Sequence, residues 1–591
     1  MNSQSIPKPS TALTANLQMN FVFGWAAGIF SLILLISIPT DPHNVGLFGY
    51  SLSRLGLIGV LGFGVLIATV VAFRAVRDKT WLELVERRLI LFSAKDEQTD
   101  IVLWGAGIGL FSSVIFFLAA YNINSPYLIR MFPLVLWFAI LCLQILIFSF
   151  RFDRLVASEY PEVSKTSLRS RATLILLILT LALGIRFYVL FAYELPLEKT
   201  RRQEIATTLE KRRDWSFCNT YFPFCGPKNN TTASVEPLPI LTFAAIIFIF
   251  ETQAEYFGIL LQMTLGLVSI GILYLIIRLL LNDHRPAFLG AFLWGVYIPL
   301  ILETEASLKG EAFFILFLLL GMFFIVLGLK KKHMLIWLLA GFCLGLAALS
   351  RSVVIYFIPI LSISLLVTPI LAVKRRILNI GLIIVAFVVV MTPWTVRNFT
   401  VFNAFIPGVT LSGYNLYRHN HILENDGYLR YVYNREMKAA QKNLLEDNVD
   451  ILRGDENEYE MDQFYRQEAM EIIIANPFRY LLLSLYRFIP LWTNYGVRYG
   501  YISDLTWNIS ALVNLVFLAL AGFSIVRRRG VRPPLIIPIV TLILFYTLSY
   551  MLVNARMRFI IPLIPFVLIF TSDQIISLAT NLKLKSNRGI G

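Results

Sequence analysis

The chain has 591 residues, of which 57% are hydrophobic and 15% are charged, and its formal net charge is +15 at pH 7. A soluble domain carries about a quarter charged residues, so the composition excludes an ordinary soluble protein and indicates an integral membrane protein. The positive charge does not support nucleic-acid binding, because no basic–aromatic recognition module accompanies it.

Apolar runs long enough to cross a bilayer occupy most of the chain. Since a helix needs about 20 apolar residues to span roughly 30 Å of hydrocarbon, the sequence predicts about fourteen spans. The runs lack the alternation of barrel strands, so we expect them to be helices and the fold class to be all-α and polytopic. The predicted spans lie near residues 21–39, 55–73, 101–121, 132–150, 172–194, 254–281, 287–302, 312–329, 335–350, 353–373, 377–395, 508–526, 534–553 and 560–580.

Basic residues collect in alternate short loops between these runs, as the positive-inside rule describes for cytoplasmic loops. If each cluster is cytoplasmic, the chain follows one consistent path with both termini inside. We therefore expect a multi-pass protein of the plasma or inner membrane. The clusters lie at 74–88, 151–171, 278–285, 330–332, 374–376, 527–529 and 583–588.

The spans divide the chain into two predicted domains. Residues 1–171 hold four spans with no evident catalytic constellation, and we expect an accessory membrane module there. Residues 172–591 hold the other spans and two long outer segments, 194–253 and 397–505. Long loops among short turns are usually functional, so the second domain is predicted to carry the site.

Both outer segments contain predicted interfacial helices. The stretch 200–213 is amphipathic, whereas the apolar run that opens at Pro237 is too short to span comfortably and is predicted to be re-entrant or interfacial. In the second segment, 461–476 has helical periodicity, and Asn476-Pro477 predicts a turn into the aromatic-rich stretch 478–493.

Two cysteines, Cys218 and Cys225, share the first outer segment. A disulfide between them can form in an oxidising compartment, and two unpaired loop thiols are the alternative.

Three arginines stand at the ends of spans on the side that charge counting places away from the cytoplasm: Arg351, Arg556 and Arg558. Guanidinium groups grip phosphate oxygens in bidentate fashion and stay charged near lipid. We therefore predict that they hold the phosphate of a lipid-linked substrate. The alternative for Arg351 is a side chain that extends to the membrane surface and helps only to fix the orientation of its span.

Acidic residues at the same face are candidates for catalysis. Glu311 opens an apolar run, at a depth where an unpaired carboxylate is costly, so it is predicted to meet a cation or a substrate hydroxyl. Glu198 follows the fifth span, where a carboxylate could act as general base. Glu198 is otherwise one charge in a charged loop, and Glu204 is the nearest competing base.

No Walker loop, dinucleotide fingerprint or zinc-type histidine pair is present in the sequence. We expect no metal site and no required cofactor, although a divalent metal stays open, and the sequence does not support ATP hydrolysis or nucleotide-dependent redox chemistry.

Several strings together resemble one known family. PWTVRNFTVFNAFIPGVTLSGYNLYRHN (393–420) is similar to the Pro-Trp…Arg-Asn…Gly-x-Asn-Leu…Asn signature of bacterial polytopic glycosyltransferases of the GT-C class, related to the protein O-mannosyltransferase and aminoarabinose-transferase group. Four further strings also resemble the family and occur along the chain in the family's order: KGEAFF around Glu311, LAALSR ending at Arg351, FYRQEAMEIIIANPFRYL and ARMRFIIPLIP. The resemblance covers about residues 172–580.

The resemblance implies a GT-C-like bundle with interfacial outer-face helices. It also implies inverting transfer of a sugar from a polyprenyl-phosphate donor to an acceptor lipid, glycan or protein at the outer face. The family's acid–x₃–Tyr–x₂–[Ile/Leu]–Ala pattern places Glu198 at the catalytic acid, usually Asp, and Arg202 at the usual Tyr. The signature string adds three further candidate residues, namely Arg397, Asn415 and Asn420.

Two other classes of function stay open at this point. A lipid or glycolipid transporter would need intramembrane charges along a path, whereas the charges here gather at one face. A non-catalytic membrane protein descended from such enzymes is the second alternative, because the family's usual Asp and Tyr are both replaced.

Overall fold

A computed structural model describes the protein at scattered helical positions between 59 and 77, and at 174–175, 177–186, 201–212, 215–216, 231–250, 254–305, 310–331, 333–429, 456–493, 504–527 and 533–588. The predicted accessory module at 1–171 falls almost wholly outside these residues and stays a prediction. Glu198, Cys218 and Cys225 also lie outside them, and so does the side chain of Arg202.

The regular elements among the described residues are helices, apart from an isolated antiparallel bridge between Ser216 and Thr231, so the all-α prediction is confirmed for them. Short 3₁₀ turns occupy His421–Glu424, Met557–Phe559 and Ile561–Leu563. The α-helices are α1 Arg201–Arg212, α2 Pro237–Phe250, α3 Ala254–Leu281, α4 His284–Gly295, α5 Ile298–Glu305, α6 Glu311–Lys331, α7 Met334–Ala348, α8 Val353–Val367, α9 Val373–Phe402, α10 Ser412–Asn420, α11 Glu458–Ala475, α12 Pro477–Tyr486, α13 Phe488–Thr493, α14 Asp504–Arg527, α15 Pro533–Val553 and α16 Ile564–Arg588.

The chain divides into two compact units. The first comprises residues 1–179 with 246–260, and the second comprises 180–245 with 261–591. The second unit contains most of the described helices, all the helix contacts discussed below and the candidate site.

Six described helices are long and apolar enough to cross a membrane, so the protein is a multi-pass membrane protein. They correspond to six of the predicted spans, in α3, α6, α9, α14, α15 and the stretch Met557–Thr580. The predicted number of about fourteen is not confirmed. The predicted span 287–302 is divided between α4 and α5, and those at 335–350 and 353–373 form helices of 15 residues each.

The predicted turn at Asn476-Pro477 is a sharp elbow between α11 and the helices that follow it. The two arms are bent by 101°. Pro477 is the first residue of α12, and Asn476 before it has a non-helical backbone. A proline cannot donate the backbone hydrogen bond that would continue α11 and disfavours helical geometry at the preceding residue, which explains the break.

Small residues allow α7 to pack closely against two neighbours. On α6, Gly321 lies beside Leu344; on α7, Gly341 lies so close to α9 that an added Cβ would stand 2.2 Å from the carbonyl oxygen of Ile383. Apolar side chains gain little by leaving lipid for a neighbouring helix, because both surroundings are apolar. Close backbone approach and dispersion therefore hold such helices together. This three-helix group carries the Arg351 turn at the end of α7.

Candidate functional site

Four of the arginines and glutamates predicted from the sequence line one cavity of about 630 Å³. They are Glu311, Arg351, Arg556 and Arg558, and Asn415 lines the same cavity. The walls come from segments far apart in sequence, namely 234–236, Glu311, 351–356, 409–419 and 549–559. The fold therefore brings the predicted phosphate-binding residues together, as their proposed common role requires.

Glu311 and Arg351 form an ion pair at one side of the cavity. Arg351 Nη2 lies 2.5 Å from Glu311 Oε1, and the two side chains are only 11% and 5% exposed. Arg351 sits in the tight turn after α7, where its backbone N–H donates to the carbonyl of Ala347, and Glu311 is the first residue of α6. The cation partner predicted for Glu311 is therefore Arg351, and their opposite charges offset the cost of burial.

An aromatic surface supports the guanidinium groups. Tyr550 and Phe559 are stacked with ring centroids 4.6 Å apart, and the guanidinium carbons of Arg351 and Arg558 lie 5.2 and 4.8 Å from the Phe559 ring centroid. Arg351 Nη1 also donates to the Tyr550 hydroxyl at 3.3 Å. Ring faces attract cations, so Phe559 holds two arginines side by side despite their mutual repulsion.

Arg556 and Arg558 lie on the turn that follows α15. The residues that alternate with them, Ala555 and Met557, are buried, whereas the two arginines are partly exposed and line the cavity. Helix α15 ends at Val553, and the chain is extended at Arg556 before the 3₁₀ turn begins. This alternation directs both guanidinium groups to the same space.

Helix α10 contributes a polar face that the sequence reasoning did not single out. Asn415, Arg418 and His419 all line the cavity, and their spacing of three and four residues places them on one face of a helix. Only Asn415 was among the predicted candidates. The signal in the sequence was this spacing within NLYRHN, which becomes informative once the segment is known to be helical.

A buried carboxylate from α11 holds the beginning of α10. Asp462 Oδ1 accepts a hydrogen bond from the backbone N–H of Tyr414 at 3.0 Å, and Oδ2 accepts from the Ser412 hydroxyl at 3.3 Å. Free N–H groups in the first turn of a helix favour an anion there. An added Cβ at Gly413 would stand 2.0 Å from the Asp462 carbonyl oxygen, so α10 and α11 pack too closely for a side chain at Gly413.

His419 lies among cations. The surrounding protein desolvates its imidazole, and Arg418, Arg487 and Arg556 repel a further positive charge, which together hold the pKa of His419 well below its ordinary value. The imidazole is therefore neutral at pH 7 and can accept or donate one hydrogen bond toward the cavity.

Glu458, a second buried carboxylate of α11, fixes the segment that carries Glu236 into the cavity wall. Its oxygens accept hydrogen bonds from the Thr232 hydroxyl at 2.7 Å, from the Ala233 N–H at 2.8 Å and from the Thr410 hydroxyl. The partners of Glu458 lie 226, 225 and 48 positions away in the sequence, so the sequence contained no local signal for Glu458.

Three predicted candidates lie elsewhere in the same unit. Arg397 donates to the Thr232 carbonyl at 3.0 Å, and its guanidinium lies over the rings of Trp215, Trp394 and Phe402. Asn420 is buried at the end of α10 and accepts from Arg487. Glu204 is exposed on α1. None of the three is among the residues that line the cavity.

Within the described part of the chain, four arginines and two glutamates line the cavity. His419 also lines it and is neutral, so it adds no charge. One arginine and one glutamate form the buried pair already described. The remaining charge is positive, so the arrangement favours an anion with several oxygen atoms. Among the described residues, no cluster of three or more His, Cys, Asp or Glu side chains could bind a metal ion.

Residues 235–395 match the model of the family described as dolichyl-phosphate-mannose-protein mannosyltransferase. This region includes Glu236, Glu311 and Arg351 of the cavity. Over it, the resemblance to GT-C class glycosyltransferases predicted from the sequence strings is confirmed. No curated protein is similar enough to the chain to count as a match.

Among solved structures, the chain is similar to the archaeal oligosaccharyltransferase AglB from Archaeoglobus fulgidus, solved with an inhibitory peptide and a dolichol-phosphate, with a TM-score of 0.43 and 13% identity over 70% of this chain. The chain spans about half of that protein's length, 51%. It is also similar to ArnT from Cupriavidus metallidurans bound to undecaprenyl phosphate, with a TM-score of 0.28 and 15% identity over 67% of this chain and 77% of ArnT.

Proposed function

We propose that the protein is a membrane glycosyltransferase that moves a sugar from a polyprenyl-phosphate donor to an acceptor at the outer face of the membrane. The observation that carries the proposal is the cavity in which Arg351, Arg418, Arg556 and Arg558 meet. The family match over residues 235–395 supports sugar transfer as the reaction.

The charge and geometry of the cavity support phosphate binding. Arg556 and Arg558 are proposed to grip the donor phosphate, because planar guanidinium groups bind two oxygens at once. Arg351 is proposed to assist from its place beside Arg558 at the Phe559 ring, in an orientation set by Glu311 and Tyr550. When the bond between the anomeric carbon and the phosphate oxygen breaks, the electron pair stays on the phosphate, and the arginines stabilise the added negative charge.

The acceptor hydroxyl is proposed to attack the anomeric carbon from the face opposite the phosphate, which inverts the configuration. A base must take the hydroxyl proton as the new bond forms. Glu198 remains the proposed base, on the resemblance of its loop to the family pattern. Glu311 is proposed to act through Arg351, because the pair already satisfies one of its oxygens.

A direct test incubates the purified protein with radiolabelled polyprenyl-phosphate sugars and a membrane extract as the source of acceptors, followed by chromatography of the labelled products. The proposal expects label to move from the donor to an acceptor and unlabelled polyprenyl phosphate to be released. Movement of intact donor across reconstituted vesicles, without any transfer, would instead support a transporter. A protein that binds donor and does neither would be a non-catalytic relative.

A further inference from the structure

Arg487 is a buried arginine outside the cavity, in the turn between α12 and α13. Its residue is 3% exposed. Its guanidinium makes four described hydrogen bonds, all to acceptors without a formal charge: Asn420 Oδ1 at 3.0 Å, Leu552 O at 3.1 Å, Met551 O at 3.4 Å and His419 O. Within the described part of the chain, no carboxylate forms an ion pair with it.

The three backbone acceptors belong to the ends of two helices. His419 is in the last turn of α10, and Met551 and Leu552 are in the last turn of α15. The final carbonyl groups of a helix lack partners within it, and together they carry a partial negative charge. Arg487 therefore satisfies the carbonyl ends of two helices with one guanidinium group.

Both helix ends lead into the cavity. Arg418 and His419 line it from the last turn of α10, and Arg556 and Arg558 follow the end of α15 by a few residues. Without Arg487, two carbonyl ends would face each other behind an anion-binding site. Their partial negative charges would repel both each other and a bound phosphate.

We propose that Arg487 is a positioning residue for the donor phosphate, which joins the α10 and α15 walls of the cavity and cancels the negative charge of their helix ends. The inference rests on the proposed function, because it assumes that the cavity binds a phosphate. Arg487 is not among the residues that line the cavity, so it is proposed to act through the two helix ends and not by touching the phosphate.

The test compares binding of a short-chain polyprenyl phosphate and of the uncharged polyprenol of the same chain length to full-length protein in detergent. The affinity for the phosphate divided by the affinity for the polyprenol isolates the phosphate contribution, since a general loosening of the fold weakens the binding of both ligands alike. Arg487→Met should lower this ratio about tenfold, the effect of a partly buried charge at a helix terminus. Arg487→Lys should recover part of it, because lysine restores the charge without the planar fork.

Asn420→Asp provides a variant that keeps Arg487 in place. The new carboxylate has the shape of the amide and neutralises the adjacent guanidinium, so the ratio should fall as it does in Arg487→Met. Asn420→Asp therefore tests the proposal even if Arg487→Met fails to fold. Arg479→Met is the matched control. Arg479 lies on α12, and its described hydrogen bonds go to Leu423 O and Asp426 rather than to α10 or α15. The ratio should be unchanged in this control.

The outcomes separate the two proposals. If the wild-type protein binds polyprenol as tightly as polyprenyl phosphate, the proposed phosphate site is wrong. If the wild type prefers the phosphate but Arg487→Met, or Asn420→Asp where the former does not fold, keeps that preference, the role of Arg487 is wrong and the proposed function stands. An equal loss in Arg479→Met would also overturn it, because any buried or surface cation would then serve.

Discussion

At the residue scale, three of the four arginines of the cavity differ in their burial. Arg351 is buried and paired with Glu311, so much of its charge is already balanced before any ligand arrives. Arg556 and Arg558 are partly exposed to the cavity and lie on a short turn. We expect an anionic substrate to contact the arginines that face the cavity, whereas the buried pair shapes the wall that receives it.

The Glu311–Arg351 pair should behave as a unit. Glu311→Leu or Arg351→Met alone leaves one charge buried without its partner, so each single variant should lose about 3–5 kcal/mol of stability. The double variant should lose less than either single one, because both charges leave the interior together. The unfolding midpoint in detergent measures this, and a double variant less stable than both single variants would contradict the interpretation.

His419 should make the protein less stable in acid. Burial and the neighbouring arginines hold the pKa of His419 well below its ordinary value, whereas in the unfolded chain it is about 6.5. Below that pH the unfolded state takes up a proton that the folded state does not, so stability should fall by up to about 1.4 kcal/mol per pH unit.

The check compares the unfolding midpoint of the wild type and of His419→Gln between pH 7.5 and 5.5. The variant should lose less stability over this range. Burial also lowers the pKa of His421, so part of the acid sensitivity should remain. An identical pH dependence in both proteins would mean that folding does not lower the pKa of His419.

Residue chemistry indicated four of the charged cavity residues before the fold was known, because an arginine or glutamate at membrane depth needs a reason to be there. Arg418, His419 and Glu458 gave no such signal. They lie in a segment predicted to be on the outer face and rich in polar residues, and their contribution to the site depends on which helices pack together. Arg397 and Asn420 matched the family's string, but their described contacts are with the protein itself.

At the element scale, hydrophobic run length predicted α3, α6, α14 and α15 with boundaries close to those in the structure, whereas α9 continues to Phe402, beyond the predicted end at 395. It could not predict the break inside 287–302, where α4 ends at Gly295 and α5 begins at Ile298. The length of an apolar run indicates whether a segment can cross the lipid, and it contains no information on where the helix bends. The elbow at Pro477 was predictable, because proline has a local backbone effect.

Glycine packing between α7 and α9 gives a prediction at this scale. Gly341→Ala should lower stability by about 1–3 kcal/mol, since the added methyl group overlaps the Ile383 carbonyl and forces the two helices apart. Gly381→Ala on α9 is the control, because a Cβ there meets no atom within 4 Å. It should be neutral or slightly stabilising. Equal midpoints for the two variants would argue against close α7–α9 contact.

At the scale of the whole molecule, the path across the membrane decides on which side the chemistry occurs. From the basic clusters we predict that the loop after α6 is cytoplasmic and that the segment between α9 and α14 lies outside. In a protein whose native cysteines are replaced, Glu424→Cys should therefore react with an impermeant thiol reagent in intact cells, and Lys331→Cys should not. Both positions are exposed in the structure. Labelling of Lys331→Cys from outside would invert the path and place the proposed reaction on the other face.

The donor dependence of sugar transfer by Arg556→Met and Arg558→Met tests the central claim most directly, namely that the cavity holds the donor phosphate. Each variant should lose about 10- to 100-fold in kcat/KM for the polyprenyl-phosphate donor, because it lacks one charge-assisted contact worth about 1.5–3 kcal/mol. The Lys variants should recover part of the loss. Arg285→Met, which removes an exposed arginine outside the cavity, should match the wild type. Normal donor kinetics in both cavity variants would contradict the account and move phosphate binding to another part of the protein.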